Sequence, residues 1–342
     1  MDDFAKLPPK DRADLFQAAA RKRYMLPAVI EKDFWVCWTL KRLFTLPSPP
    51  TGLLFKGGTS LTKVYHAIDR FSEDVDLSFD RHGLGFKSAS DPLELKGKSR
   101  QRALESLKVT CQRMIREQFL PQILEAFSQA LDEAPSKNWN IEAATDDPDE
   151  QTLLFRFPQS LAHRTDEPAY ITPVVRLELG ARSDHWPAID GTVSSYLAEA
   201  FPQFIKAPTA PVHALGIERT FWEKATILHM WHHAPLIKSM RDRQSRHYYD
   251  LYQLYQRGPG KTAMKDTALL VSVARHKEVF FAAAWAKYTE AKPGTLRLVP
   301  PASRLPELHE DYALMQQMIF GTIPEFKEIL AALREIEDIV NG

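Results

Sequence analysis

The segment from Leu53 to Asp80, LLFKGGTSLTKVYHAIDRFSEDVDLSFD, constrains this chain more than any other stretch. A short apolar run leads into a Gly-Gly-Thr-Ser turn at 57–60, and two aspartates, Asp74 and Asp76, follow with one residue between them. These aspartates alternate with apolar residues, which predicts a strand with both carboxylates on one face, because strand side chains repeat every second residue. The expected local order is strand, glycine turn, helix and strand.

The turn and the aspartate pair have complementary chemistries. A turn that opens a helix presents backbone N–H groups and the positive end of the helix dipole, which favour phosphate. Two adjacent carboxylates suit Mg²⁺, which prefers oxygen ligands. The turn is not a P-loop, since Gly58 stands where that motif requires a lysine. Each feature alone has a structural explanation, in a tight turn or a solvated strand edge, but together they favour a site for a nucleoside triphosphate.

Composition places the chain among ordinary soluble proteins. Its 342 residues are enough for two domains, and 44% of them are apolar and 26% charged. The 44 basic and 44 acidic residues balance, so net charge is evidence neither for nor against a nucleic-acid partner.

Compartment is indicated by the cysteines and by the absence of targeting signals. Cys37 and Cys111 have no metal-ligand spacing and are typical of buried thiols in a reducing compartment. The first residues lack the apolar core of a signal peptide, and no apolar run approaches the roughly 18 residues of a membrane span. We therefore expect a cytoplasmic protein.

Periodicity predicts a mixed α+β organisation. Helices are expected at 10–46 with a break near Pro27, at 60–68, as a pair at 96–131 interrupted at Pro121, at 214–256 and over most of 262–341. Strands are expected at 53–55, 74–79, 141–144, 152–157 and 170–180, the third and fourth forming a hairpin. The proline-rich stretch 201–211 has the composition of a linker. We predict a first domain at 1–205, with a helical insertion near 96–131, and a mainly helical second domain at 206–342.

Further candidates lie beyond the opening segment. Glu178 shares a predicted strand face with Arg176, so it could be a third metal ligand, a general base or a surface ion pair. Lys224, within an aromatic helix, could extend from the core to solvent or reach a triphosphate. Asp250 is expected to be partly buried, and Lys224 is its candidate partner.

Two other patterns in the second half are open to a structural interpretation. His229, His232 and His233 share a helix face, and aromatic packing is favoured over zinc because no further ligand set is present. Arg241, Arg243 and Arg246 suit an RNA backbone, although a solvated helix face is the better explanation of the charges alone.

Five segments in this order resemble the AbiEii/AbiGii family of nucleotidyltransferase toxins, which includes the MenT-type toxins. The matching segments are FKGGTSLTK (55–63), RFSEDVD (70–76), RLELGAR (176–182), ERTFWEKATILH (218–229) and RHYYDLYQL (246–254). The resemblance implies a DNA-polymerase-β-like nucleotidyltransferase core, a small mixed sheet flanked by helices, with a helical C-terminal domain. It also implies an NTP substrate, Mg²⁺ with Mn²⁺ as a substitute, and a cognate antitoxin.

The resemblance assigns roles by position. Gly57, Gly58, Thr59 and Ser60 match the phosphate-binding turn, Arg70 and Ser72 match the residues before the metal pair, and Asp74 and Asp76 match that pair. Lys63, Lys224, Asp250 and Glu178 match further active-site positions, with the two lysines expected at the triphosphate or its leaving group. Lys224 and Asp250 would thus complete the site from the second domain.

The predicted activity is transfer of a nucleoside monophosphate from NTP to an RNA hydroxyl, with the tRNA 3′ end as the expected acceptor and a block of translation as the result. Arg241, Arg243 and Arg246 would receive the RNA backbone. Two alternatives remain open at this point: transfer of a nucleotide or phosphate onto a protein target or the antitoxin, and a non-catalytic nucleotide-binding module.

Overall fold

The computed structural model describes residues 1–161, 171–240 and 242–342. They form two compact units. Unit 1 comprises Met1–Val64, Ser72–Asp91 and Gly97–Ala214, and unit 2 comprises Tyr65–Phe71, Pro92–Lys96 and Leu215–Gly342. The chain therefore leaves unit 1 between the glycine turn and the aspartate pair and returns to it at Ser72. The division into two continuous domains, 1–205 and 206–342, remains a prediction.

The strands assemble into one mixed sheet. They are β1 (Leu53–Lys56), β2 (Asp74–Phe79), β3 (Asn140–Ala143), β4 (Thr152–Arg156), β5 (Val174–Glu178), β6 (Ala188–Ser194) and β7 (Thr209–Leu215). Within the described residues the strand order is β3-β4-β5-β2-β1-β7-β6. β2 is antiparallel to β1 and parallel to β5, β4 is antiparallel to β3 and β5, and β7 is parallel to β1. The predicted hairpin of β3 and β4 is confirmed.

Helices surround this sheet in unit 1. They are α1 (Asp2–Ala5), α2 (Pro9–Arg23), α3 (Pro27–Phe44), α4 (Gly57–Lys63), α5 (Gly97–Met114), α6 (Leu120–Leu131) and α7 (Tyr196–Ala200). Pro27 occupies the first turn of α3, where a missing N–H costs nothing, which explains the predicted break. A π-helical turn joins α5 to α6 just before Pro121.

The core of unit 1 is aromatic. Trp35 and Trp38 of α3 and Phe127 of α6 contact Phe155 of β4, with ring centroids 4.8–6.0 Å apart. All four side chains are fully buried. Edge-to-face and stacked aromatic pairs of this kind fix the position of α3 against the sheet.

Unit 2 is mainly helical. Its helices are α8 (Ile217–His232), α9 (Ser245–Gln256), α10 (Pro259–Ala263), α11 (Thr267–Phe280), α12 (Leu305–Met315) and α13 (Phe326–Asn341). Together with the sheet of unit 1, they confirm the predicted α+β class with a small mixed sheet, flanking helices and a helical C-terminal half. No helix in the described part of the chain has the length and apolar character needed to cross a membrane.

Two expectations about local structure were wrong. The helix predicted at 60–68 begins three residues earlier, at Gly57, and ends at Lys63, because the chain passes into unit 2 after Val64. The stretch 201–211 was predicted to be a linker, but its last three residues belong to β7, which begins at Thr209. This strand pairs with β1 through Ala214 and Phe55. Alternating burial of Ala210, Val212 and Ala214 marks this strand, but small residues among prolines obscured the pattern. Tyr170, the first residue of another predicted strand, lies outside the described residues.

Candidate active site

The glycine turn lies directly against the aspartate pair. Gly57 has φ +79°, a left-handed conformation that favours glycine. A Cβ at this position would lie 1.9 Å from Oδ2 of Asp76, so any side chain would displace the carboxylate. Gly57 is therefore required twice, by its backbone conformation and by the close approach of Asp76.

Hydroxyl groups join the turn to β2. Thr59 Oγ1 donates to the carbonyl oxygen of Asp74 and lies 3.0 Å from Ser72 Oγ, which must then donate to it because Thr59 has a single hydrogen. Ser60 Oγ donates to the carbonyl oxygen of Gly57 at 2.9 Å. Thr59 and Ser60 are buried, as is Gly58 between Gly57 and Thr59. These hydroxyls thus hold the turn in place.

The sheet register brings three carboxylates onto one face. Asp76 of β2 lies opposite Glu178 of β5, and Asp74 lies opposite Arg176. Two cations share this face: Lys56 Nζ is 3.9 Å from Asp76 Oδ1, and Arg176 Nε is 3.5 Å from Glu178 Oε1. Glu178 therefore lies close to Arg176, as in the predicted ion pair, and also opposite Asp76 of the aspartate pair.

The neighbouring carboxylates affect the protonation of Glu178. Partial burial and the negative charges of Asp76 and Asp74 raise the pKa of Glu178 to about 7. The direction rests chiefly on the two neighbouring carboxylates, since 48% of the Glu178 side chain is exposed and its desolvation is incomplete. A carboxylate with such a pKa can exchange a proton near neutral pH.

Lys63 lies in a buried ion pair. Its Nζ is 2.8 Å from Asp33 Oδ1 and 3.7 Å from the centre of the Tyr196 ring, with both charged side chains less than 5% exposed. Burial lowers the pKa of Lys63, but the charge of Asp33 outweighs it and the net shift is upward. The ammonium is therefore charged and engaged with Asp33, and its predicted contact with a triphosphate stays a prediction.

Unit 2 holds a second charged cluster. Asp250 of α9 accepts from Arg70 Nε at 2.7 Å and Nη2 at 2.9 Å, and Lys224 Nζ of α8 is 2.8 Å from its Oδ2. The predicted pairing of Lys224 with Asp250 is confirmed. Burial would raise the pKa of Asp250, but Arg70 and Lys224 outweigh it and hold that pKa well below its ordinary value.

His247 is a further member of this cluster. Its Nδ1 lies 3.2 Å from Lys224 Nζ. Burial and the charges of Lys224 and Arg246 hold the pKa of His247 well below its ordinary value, so the ring is neutral and Nδ1 accepts from the ammonium. The pKa of Lys224 is itself lowered by burial, against the opposing effect of Asp250.

The three arginines predicted to contact RNA differ in their positions. Arg246 lies beside His247, since its charge affects the pKa of that ring. Arg243 is half-buried, and its backbone N–H donates to Asp311. Arg241 lies outside the described residues.

Comparison with known proteins decides the family. A model described as "Nucleotidyl transferase AbiEii toxin, Type IV TA system" matches residues 38–332. The chain belongs to the AbiEii family. It is therefore a nucleotidyltransferase of a toxin family.

Two further comparisons extend this result little. The AbiEii chain has a structural likeness to MenT4, a nucleotidyltransferase toxin from Mycobacterium tuberculosis, at 16% identity and a TM-score of 0.43, over 96% of this chain and 97% of that one. No curated protein sequence matches it.

Some residues of the charged clusters described above could not be identified from the sequence. Asp33 and its neighbour Lys32 are buried charges within the apolar stretch of α3. A charged residue within an apolar helix indicates a buried partner in another part of the chain, but it does not identify that partner. Nothing in the sequence distinguished His247 from the neighbouring basic residues.

His229 and His232 of α8 pack with His233, the residue that follows the helix. The His233 ring is 4.7 Å from that of His229 and 4.9 Å from that of His232. His229 and His232 also bind backbone carbonyl groups, of Lys287 and Val299. These contacts agree with the packing interpretation.

Proposed function

We propose that this protein transfers a nucleoside monophosphate from NTP to a hydroxyl of an RNA acceptor, with the tRNA 3′ end as the expected target and arrest of translation as the outcome. The observation that carries the proposal is the position of Asp76, which lies against Gly57 on one side and opposite Glu178 on the other. The proximity of the glycine turn, the carboxylate pair and Glu178 in unit 1 supports this proposal.

The reaction forms one bond and breaks another. The acceptor oxygen bonds to the α-phosphorus, the bond from that phosphorus to the α,β-bridging oxygen breaks, and pyrophosphate leaves. Glu178 is the proposed acceptor of the hydroxyl proton, because its carboxylate lies opposite Asp76 on the acidic face. The turn at 57–60 is proposed to hold the β- and γ-phosphates.

The residues present fit a divalent metal. The carboxylates of Asp74, Asp76 and Glu178 lie on one face, and carboxylate oxygen is the ligand that Mg²⁺ and Mn²⁺ prefer. Among the described residues no group of three or more His, Cys, Asp or Glu is arranged to hold a metal. Asp74 and Asp76 would therefore hold the ion, with phosphate oxygens and water as its other ligands. When bound, the metal supplies charge neutralisation at the reacting phosphate.

Unit 2 is proposed to supply the positive charge. Lys224 is assigned to the triphosphate or its leaving group, and Asp250 and Arg70 hold it in place. Arg70 thereby supports nucleotide binding through Asp250. Arg243 and Arg246, with Arg241, are the proposed contacts of the RNA backbone. A cognate antitoxin is the expected protein partner, and the cytoplasm, which holds NTP and tRNA, is the expected location.

The decisive experiment follows label from NTP. Purified protein is incubated with each of four NTPs, labelled at the α- or the γ-phosphate, with Mg²⁺ and total tRNA. We expect α-label, and not γ-label, on tRNA. Asp76→Asn should abolish the transfer, whereas Asp80→Asn, at an exposed aspartate just past the end of β2, should retain it.

Other outcomes would identify the alternatives. Label on protein, from either position, would move the target to a protein or the antitoxin. Saturable NTP binding with no transfer to any acceptor would favour a binding module. Transfer that persists in Asp76→Asn would contradict the assigned metal pair.

A further inference from the structure

Helix α3 carries two adjacent charged residues that are almost fully buried. Lys32 is 2% exposed and Asp33 is 3% exposed, in the same helix that supplies Trp35 and Trp38 to the aromatic core. Consecutive helical residues point about 100° apart, so the two side chains reach different neighbours. Both neighbours belong to the segment that contains the glycine turn and the aspartate pair.

Lys32 holds the beginning of β2. Its Nζ lies 2.6 Å from Glu73 Oε2, and both side chains are less than 10% exposed. Glu73 immediately precedes Asp74, the first residue of the strand that carries both aspartates. The carboxylate pair is therefore one residue away from a fixed point on α3.

Asp33 holds the end of α4. One of its oxygens is 2.8 Å from Lys63 Nζ, and the other accepts from the backbone N–H of Tyr196 at 2.6 Å. Lys63 is the last residue of the helix that begins at Gly57. The glycine turn is thus tied through this short helix to Asp33, the neighbour of Lys32 on α3.

Buried ion pairs are a poor source of net stability, because removing two charges from water offsets most of their attraction. Two such pairs on consecutive residues of one helix are better explained by the geometry that they impose. One pair fixes the strand with the carboxylates and the other fixes the helix behind the turn. The hydrogen bond from Thr59 to the Asp74 carbonyl then joins these two elements to each other.

We propose that Lys32 and Asp33 are positioning residues that set the glycine turn at its distance from Asp74 and Asp76, and that Lys63 acts through Asp33 and does not touch the triphosphate. The effect of this arrangement on catalysis rests on the proposed function. Its effect on the local structure does not, so the two can fail separately.

The test compares breaking an ion pair with replacing it as a whole. Lys63→Met leaves the Asp33 carboxylate buried without its cation. The double variant D33N/K63M removes both charges and keeps an acceptor for the Tyr196 N–H. For the full-length protein we expect K63M to lose at least about 10-fold in kcat and the double variant to return to within about threefold of wild type. KM for NTP should change little in either.

A direct contact between Lys63 and the triphosphate predicts a different pattern. In that case D33N/K63M would be as inactive as K63M, and KM for NTP would rise in both. That result would overturn the assignment of Lys63. The pair K32M and K32M/E73Q provides a second comparison, in which we expect the same loss and recovery.

Amide hydrogen exchange of the nucleotide-free protein tests the positioning without any reaction. We expect faster exchange at 57–60 and 74–76 in K63M and in K32M, with near wild-type exchange in both double variants. R81Q and R81Q/D91N are the matched control, since Arg81 and Asp91 form an equally buried pair in unit 1 beyond the other end of β2. They should leave exchange at 57–60 unchanged.

Unchanged exchange at 57–60 in both K63M and K32M would overturn the proposal. If wild-type protein transferred no label from any NTP, the proposed function would fail, and the exchange pattern would still decide whether α3 positions the turn.

Discussion

The acidic face of unit 1 and the Lys224 cluster of unit 2 are built on opposite plans. The acidic face sets three carboxylates against two cations and is partly open, with the Asp76 side chain 26% exposed and that of Glu178 48% exposed. The Lys224 cluster sets two cations against one carboxylate, and Asp250 is completely buried. One cluster has more carboxylates than cations and is partly open to solvent, whereas the other has more cations than carboxylates and is buried.

This difference separates function from stability. A site with excess negative charge and solvent access is suited to a cation that arrives with its substrate, so removing one carboxylate should impair binding and relieve repulsion. A buried cluster without solvent access depends on each of its members, because any unpaired charge is left in a medium of low polarity. The same change, aspartate to asparagine, should therefore have opposite effects on folding in the two places.

The largest expected effect on stability is that of Asp250→Asn. It leaves the charges of Arg70 and Lys224 buried together without their anion, which should lower the free energy of unfolding by about 3–5 kcal/mol. Urea denaturation at pH 7 measures it. A loss below about 1 kcal/mol would show that the cluster is less dependent on Asp250 than its contacts indicate.

Asp76→Asn should give the reverse profile. Transfer activity should fall about 10³-fold, equivalent to about 4 kcal/mol of transition-state stabilisation. In metal-free buffer the same variant should be at least as stable as wild type, because one of three neighbouring carboxylates is neutralised. Thermal unfolding with EDTA and with Mg²⁺ measures both effects, and a marked destabilisation in EDTA would remove the contrast between the clusters.

His229 of unit 2 is expected to make the protein sensitive to acid. Burial lowers the pKa of His229 to about 4, and its ring accepts from the Arg297 N–H and donates to the Lys287 carbonyl, so it has no place for a second proton. Since the folded pKa lies below the unfolded one, the unfolded state binds more protons between about pH 6.5 and pH 4. The contribution of His229 to the free energy of unfolding should be fully present above about pH 6.5. It should fall by up to about 3 kcal/mol as the pH drops to 4.

The measurement is the urea midpoint as a function of pH. In the His229→Gln variant, the urea midpoint should depend less on pH in this range, even though the variant is less stable than wild type at pH 7. His82→Asn replaces a half-exposed histidine of unit 1 and should keep the wild-type slope. Equal slopes for wild type and His229→Gln would contradict the assignment.

The smallest expected effect concerns His247. A lysine ammonium has three hydrogens, and Asp250 and the His247 ring accept two of them, which leaves one free in a fixed direction. His247→Leu should lower kcat about 10-fold, equivalent to about 1.4 kcal/mol. His247→Asn offers an amide oxygen near the position of Nδ1 and should recover most of that loss. Equal activity of the two variants would argue against an orienting role.

The sequence allowed the elements of unit 1 to be predicted where local patterns were strong. The glycine turn, the aspartate strand and the hairpin of β3 and β4 follow from residues within a few positions of one another. β6 and β7 were missed because their pattern is weak: β7 combines small buried residues with prolines, and β6 is mostly solvent-accessible. Strand formation there depends on pairing with distant parts of the chain.

The charged residues show the same limit. The pairing of Lys224 with Asp250 could be inferred because both stood out as charges among apolar neighbours. The partner of Arg70 could not, because 180 residues separate it from Asp250 and the local motif indicated nucleotide binding. Likewise, no local pattern connects Asp33 to Lys63, since contacts between elements are set by the tertiary fold.

The interleaving of the two units has a consequence for how the protein is made. Residues 65–71, which contain Arg70, stand in the chain between the glycine turn and the aspartates, yet they belong to unit 2. A ribosome that has synthesised the chain as far as residue 230 has made every carboxylate of the acidic face, but not Asp250. The bidentate contact of Arg70 with Asp250 cannot form at that stage. The Lys224 cluster can therefore assemble only after the acidic face has been made.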